Sequence, residues 1–146
     1  MFITFSVAGE AVPQGRPRFT TRGGFVRAYD PPKSRIYKQK VKDAFFNSAV
    51  IDGGILPSEV FSDFQFGAFS LKIVEYRTPP KSWSKKRRES AKFVTSKPDI
   101  DNVMKIVLDA LTGVVWEDDK QVVGAEIWKK YGAENKIEIS IEVLDY

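Results

Sequence analysis

The chain opens on an alternation. Ile3, Phe5 and Val7 fall on one side and Thr4 and Ser6 on the other, the period of a half-buried strand. Residues 13–27 are punctuated by Pro13, Gly15, Pro17, Gly23 and Gly24 and read as a loop or loose hairpin. After Pro31-Pro32 the period becomes helical, and a helix over about 33–48 is predicted, with Ile36, Tyr37, Val41, Ala44 and Phe45 as its apolar stripe. A Gly53-Gly54 turn and Pro57 lead to a second strand over about 66–76. The polar stretch 79–96 carries Lys85-Lys86-Arg87-Arg88-Glu89, placed on a short helix that Ser82 or Ser84 begins.

The best helical pattern spans about 100–111, where Ile100, Val103, Met104, Val107, Leu108 and Leu111 keep the 3/4 spacing of a buried face. Asp99, just after Pro98, is its natural N-cap, and Gly113 closes it. Two strands finish the chain, about 121–131 and 136–143, the last alternating strictly through Ile137, Ile139, Ile141 and Val143. The order β, α, β, α, α, β, β, with no internal repeat or low-complexity linker, predicts an α/β protein of the α+β type. It would be a single compact domain over 1–146, with a mixed β-sheet and helices packed on it.

Composition changes the picture by elimination. The chain is 42% hydrophobic and 13% aromatic, as a folded protein should be, and it contains no His and no Cys. An imidazole base, a His-ligated zinc, a thiolate nucleophile, an Fe–S cluster and a disulfide are all excluded. Catalysis is left to carboxylates, Lys, hydroxyls or a bound ion. Oxygen-only ligands favour Mg²⁺ or Mn²⁺, with Ca²⁺ as an inert substitute. The opening segment lacks the basic start of a secretory signal and no apolar run reaches membrane-spanning length, so a cytoplasmic protein with no membrane partner is expected.

Charge is segregated along the chain. Residues 13–42 hold nine Lys and Arg against Asp30 alone, and residues 77–97 hold eight against Glu89 alone. Between 99 and 120, six acids face only Lys105 and Lys120. Two basic segments around an acidic centre suit phosphate-gripping walls beside a metal site, since phosphate avoids carboxylates unless a cation lies between them. Aromatic residues interleave the first basic segment, and one or two of them could stack on an unpaired base.

The acidic centre has two parts. Asp101, Lys105 and Asp109 stand at i, i+4 and i+8 of the predicted helix, and Asp99 lies just before it. A plainer account is a capping Asp and an i,i+4 salt bridge on a solvated face. A calcium loop does not fit, because Val103 stands where the third oxygen ligand belongs. Glu117-Asp118-Asp119 lies between helix end and strand, alone no more than a solvated turn. It would join the helix N-terminus only if the following strand ran back suitably.

Lys97-Pro98-Asp99-Ile100-Asp101-Asn102-Val103-Met104-Lys105, then Asp109-Ala110-Leu111, then Trp116-Glu117-Asp118-Asp119-Lys120-Gln121-Val122 resembles the signature of the RusA family of Holliday junction resolvases, small dimeric endonucleases common in phages and prophages. The resemblance implies a RusA-like fold and a Mg²⁺-dependent endodeoxyribonuclease, with Mn²⁺ as an alternative ion and no small-molecule cofactor. A homodimer would resolve four-way DNA junctions by paired symmetric nicks in recombination and repair. Asp99, Asp101 and Asp119 correspond to metal-binding acids, with Asp118 as the alternative ligand. Lys105 corresponds to the active-site lysine, while Asn102 and Gln121 support the site. Arg16, Arg18, Lys85, Lys86, Arg87 and Arg88 would bind backbone phosphates. The competing readings are a structure-specific DNA-binding protein that does not cut, an enzyme for a smaller phosphate substrate, and a structural adaptor.

Overall fold

The first alternation becomes a pleat in the computed structural model, which describes residues 1–145. Strand β1 (Phe2–Ala8) buries Ile3, Phe5 and Val7 and exposes the residues between them. A small ribbon follows, β2 (Arg18–Thr20) with β3 (Arg27–Tyr29), and then helix α1 (Pro32–Ser48). After β4 (Val50–Ile51) and α2 (Val60–Phe64) comes the central strand β5 (Ala68–Arg77). Helices α3 (Lys85–Ser90) and α4 (Ile100–Leu111) precede β6 (Val122–Tyr131) and β7 (Lys136–Asp145).

The main sheet has the order β4-β1-β7-β5-β6. Strands β1 and β5 run antiparallel to β7, whereas β5 and β6 run parallel. Parallel neighbours need a long crossover, and the segment 78–121, with α3 and α4, provides it. One face of the sheet is covered by α1 and α4. There Val41 and Phe45 of α1 and Val103, Ile106, Val107, Ala110 and Leu111 of α4 pack with Ile3, Phe5, Leu71, Ile73, Ile137, Ile139 and Ile141. The opposite face is more polar, with Thr4 and Ser6 exposed and Glu138, Ser140 and Glu142 half-buried. The sheet is therefore mixed, as the alternation and the helix between strands predicted.

Several local expectations need correction. Ile36 is 70% exposed, and the buried stripe of α1 is Ser34, Tyr37, Val41 and Phe45. Ser34 can be buried because its Oγ accepts the backbone N–H of Gly15 at 3.0 Å. Ile100 is half exposed, lying in the first turn of α4. Asp99 occupies the N-cap position, but its side chain makes no capping bond. Ser84, not Ser82, caps α3, accepting from the backbone N–H of Arg87 at 3.2 Å. The short elements β4 and α2 carry too little pattern to be predicted.

Tyr37 gives a testable consequence of this packing. Its ring is buried and its hydroxyl meets no hydrogen-bond partner among the described residues. Burial pushes its pKa up, and the Glu75 carboxylate adds to the shift. The folded state therefore keeps a proton that an unfolded tyrosine releases near pH ~10. Stability from this group is full below that pH and declines as pH rises above it. Tyr37→Phe should leave stability at neutral pH unchanged or raised by up to about 1 kcal/mol, and flatten its alkaline decline. Urea unfolding at neutral pH and above pH ~10 checks both points.

Candidate active site

Helix α4 is held on the core by its apolar face, which leaves Asp101 and Lys105 exposed on the other. Neither forms an ion pair among the described residues, so the i,i+4 salt bridge of the plainer account is not made. Asp109, two turns on, faces α1 and lies 3.6 Å from Lys38 Nζ, which also binds Asp30 at 2.5 Å. Asp99 is exposed, and its backbone carbonyl accepts from the N–H of Val103. The uncapped N–H groups and positive end of α4 favour negative charge here.

What fixes this end of α4 comes from three directions. Arg77, at the end of β5, donates from Nη1 to the Lys97 carbonyl at 2.8 Å and to Ser96 Oγ at 3.2 Å. Lys129 of β6 donates from Nζ to the carbonyls of Ser96 at 2.6 Å and Pro98 at 2.8 Å. Thus two cations clasp the carbonyls just before Asp99. Arg77 is in turn held by Glu75, 2.6 Å away and only 1% exposed. On the other side, the backbone N–H of Gln14 donates to the Asn102 carbonyl at 3.1 Å. This bond ties the start of the first basic segment to the first turn of α4.

Each basic segment has one end fixed near the start of α4. The first is anchored by Gln14 beside Asn102, with Arg16 and Arg18 just beyond and exposed. The second is ordered because residues 92–94 lie along the free edge of β6. The Val94 N–H donates to the Lys129 carbonyl and the Tyr131 N–H to that of Lys92. Within it the Arg87 guanidinium stacks 3.8 Å over the Trp83 ring, and Trp83 packs edge-on against Tyr131. Lys85 sits 4.0 Å from Glu89, whereas Lys86 and Arg88 are exposed without an ion pair among the described residues.

The 117–121 turn is built differently and elsewhere. Gln121 Oε1 accepts from the N–H groups of Glu117 and Asp118, and its Nε2 donates to the carbonyls of Gln65 and Gly67. Gln121 therefore pins the turn to the loop that enters β5. Asp118 accepts from the backbone N–H of Lys120 at 2.9 Å, which holds its carboxyl below the usual range, with the Lys120 charge adding to the effect. Asp119 is exposed and makes no ion pair among the described residues.

The two acidic groups lie at opposite ends of α4. Val122 pairs with Phe69, at the start of β5, while Asp99 adjoins its end at Arg77. Asp119 lines a concavity with Asp109, Thr112, Glu117 and Asp118, at the C-terminal end of the helix. About 12 Å of helix separates Asp101 from Asp109, at 1.5 Å per residue. A Mg²⁺ ion holds its ligands at about 2.1 Å, so one ion cannot take Asp99, Asp101 and Asp119 from a single copy in this arrangement. No group of three acids placed to hold a metal occurs among the described residues.

Glu75, Arg77 and Lys129, which hold residues 96–98 in place before Asp99, were not singled out by sequence reasoning. Glu75 carried a signal, because it continues the core-facing register Phe69, Leu71, Ile73 of β5. A carboxylate at a core position demands a cation.

Comparison with known proteins gives two findings. The family model described as Endodeoxyribonuclease RusA matches residues 8–142. The chain is also 39% identical over 145 residues to the uncharacterized protein YqaN of Bacillus subtilis strain 168, covering 95% of this chain and 94% of that one.

Proposed function

The chain belongs to the RusA endodeoxyribonuclease family, and on that premise we propose that it resolves four-way DNA junctions by paired symmetric nicks, as a divalent-metal-dependent homodimer. The observation that carries this reading is the end of α4. Two exposed carboxylates, Asp99 and Asp101, which pair with no cation among the described residues, stand between two basic segments. Unneutralised carboxylates beside phosphate-binding surface make sense when a cation joins them.

Asp99, Asp101 and Asp119 would hold the ion, Mg²⁺ or Mn²⁺, whose chemistry when bound is to acidify water and neutralise phosphate charge. Asp119 is a better third ligand than Asp118, which is engaged with the Lys120 N–H. Since Asp119 lies at the far end of its own α4, the third carboxylate would come from a second copy. A two-fold pair in which each α4 N-terminus meets the other copy's 117–121 turn makes two identical sites. Two related sites are what paired nicks require.

Lys105, one turn past Asp101 and exposed, would place its ammonium against charge growing on the phosphate oxygens. Arg16, Arg18, Lys86 and Arg88 would grip phosphates on either side, while Arg87 contributes mainly by stacking α3 on Trp83. Such a protein acts within the cytoplasm, and among the described residues no helix is long and apolar enough to cross a membrane.

The test is cleavage of a labelled four-way junction beside a linear duplex of equal length, with Mg²⁺ or EDTA. Symmetric Mg²⁺-dependent nicks on the junction alone support the proposal. Tight junction binding with no cut under any ion makes the protein a binder instead.

A further inference from the structure

The β2–β3 ribbon is a sheet of its own, and from Thr21 to Tyr29 every residue is exposed. Phe19 is 70% exposed, Phe25 69%, Val26 73% and Tyr29 42%. A ribbon of three residue pairs carrying bare rings gains little from its own packing, so the rings are there for something that covers them. The register sets their surroundings. Phe19 pairs with Ala28, whose methyl leaves the ring clear, while Arg18 and Tyr29 pair on the other face beside Thr20 and Arg27. Phe25 sits at the tip, after Gly23 and Gly24, both at positive φ.

Charge and position narrow what covers them. There is no acidic residue between Glu10 and Asp30, whereas Arg16, Arg18, Arg22 and Arg27 all lie there. The occupant is therefore a polyanion that also offers flat apolar faces. The root of the ribbon is fixed beside Asp101. Gln14 Nε2 donates to Asp30 Oδ1 at 3.3 Å, joining the two ends, and the Gln14 N–H is bound to Asn102 in the first turn of α4. From that root the tip can reach no more than about 20 Å at 3.3 Å per residue, or roughly six base-pair steps.

We propose that the 18–29 hairpin is the element that distinguishes branched from linear DNA, with its arginines on phosphates and Phe19 and Phe25 stacked on bases laid open at the branch. This rests on the junction-cutting reading and deepens it. Rings of this kind gain nothing from a closed duplex unless a base step is first opened, but a branch point is already open, so stacking there is a net gain. The same arm adds only its arginines to linear DNA, and the difference is selectivity.

The experiment uses a four-way junction with 2-aminopurine at the branch, competed with a duplex of equal length, in Ca²⁺ so that binding is read without cutting. Wild type is compared with the Phe19→Ala/Phe25→Ala double variant, which should fold normally because neither ring is buried. The expected result is a branch-position fluorescence change with wild type that the variant lacks. Junction affinity should fall about 10- to 100-fold and duplex affinity should stay within about twofold. An unchanged junction preference and fluorescence response in the variant overturns the inference and leaves the resolvase reading intact. Loss of the dimer in sedimentation with unaltered DNA binding would place the rings between copies and also overturn it. If wild type itself prefers duplex, the functional reading fails first.

Discussion

Asp101→Asn is expected to lower the junction-cutting rate on the order of 10³-fold or more while leaving junction binding intact, because the lost charge is needed only where a cation supports bond breaking. The carboxylate is exposed and makes no ion pair or hydrogen bond among the described residues. The amide is the same size, and stability should stay within about 0.5 kcal/mol of wild type. Rate measurements on a junction, with binding measured in Ca²⁺ and unfolding in urea, separate the three quantities. A variant that cuts normally removes Asp101 from the site. One that neither binds nor folds would mean the side chain has a structural duty the geometry does not suggest.

The second large effect belongs to Arg77. Arg77→Ala leaves Glu75 buried without its cation, which should cost about 3–5 kcal/mol in urea unfolding. It also frees the carbonyl of Lys97 and the hydroxyl of Ser96, two and three residues before Asp99. If Asp99 holds the ion as proposed, the Mg²⁺ concentration needed for half-maximal cutting should rise about 10- to 100-fold when its support is lost. Replacing both charges, in Glu75→Leu/Arg77→Met, separates the two roles. Stability should largely return, since a matched apolar pair avoids the desolvation penalty, but the Mg²⁺ requirement should stay high. If the double variant regains wild-type metal response, Arg77 only stabilises the fold.

What could be read from the chain divides along the range of the interactions involved. Strands β1 and β7 and helix α4 were legible because a single period, enforced by one buried face, runs through each of them. The stripe of α1 was misplaced at Ile36 for a local reason. The buried position is a serine whose hydroxyl is satisfied by the Gly15 N–H, and apolarity alone does not reveal that. The carboxylates at Asp99 and Asp101 could be named from spacing, and their closeness at one helix end follows from it. The place of Asp119 could not, because it depends on β6 pairing parallel to β5, so that the turn before it lies at the start of β5. The clasp of Arg77 and Lys129 on residues 96–98 is equally non-local.

A site shared between copies is the central claim, and mixing two inactive variants tests it most directly. Asp101→Asn and Asp119→Asn chains, co-expressed with different tags and purified as mixed dimers, carry one mutation each. If each site takes Asp101 from one copy and Asp119 from the other, the mixed dimer has one doubly damaged site and one intact site. It should then nick one strand of a four-way junction at a readily measured rate, without the paired second nick, while each variant alone stays silent. If the mixed dimer is as inactive as its parents, both carboxylates serve within the same chain, and the two-copy site is wrong.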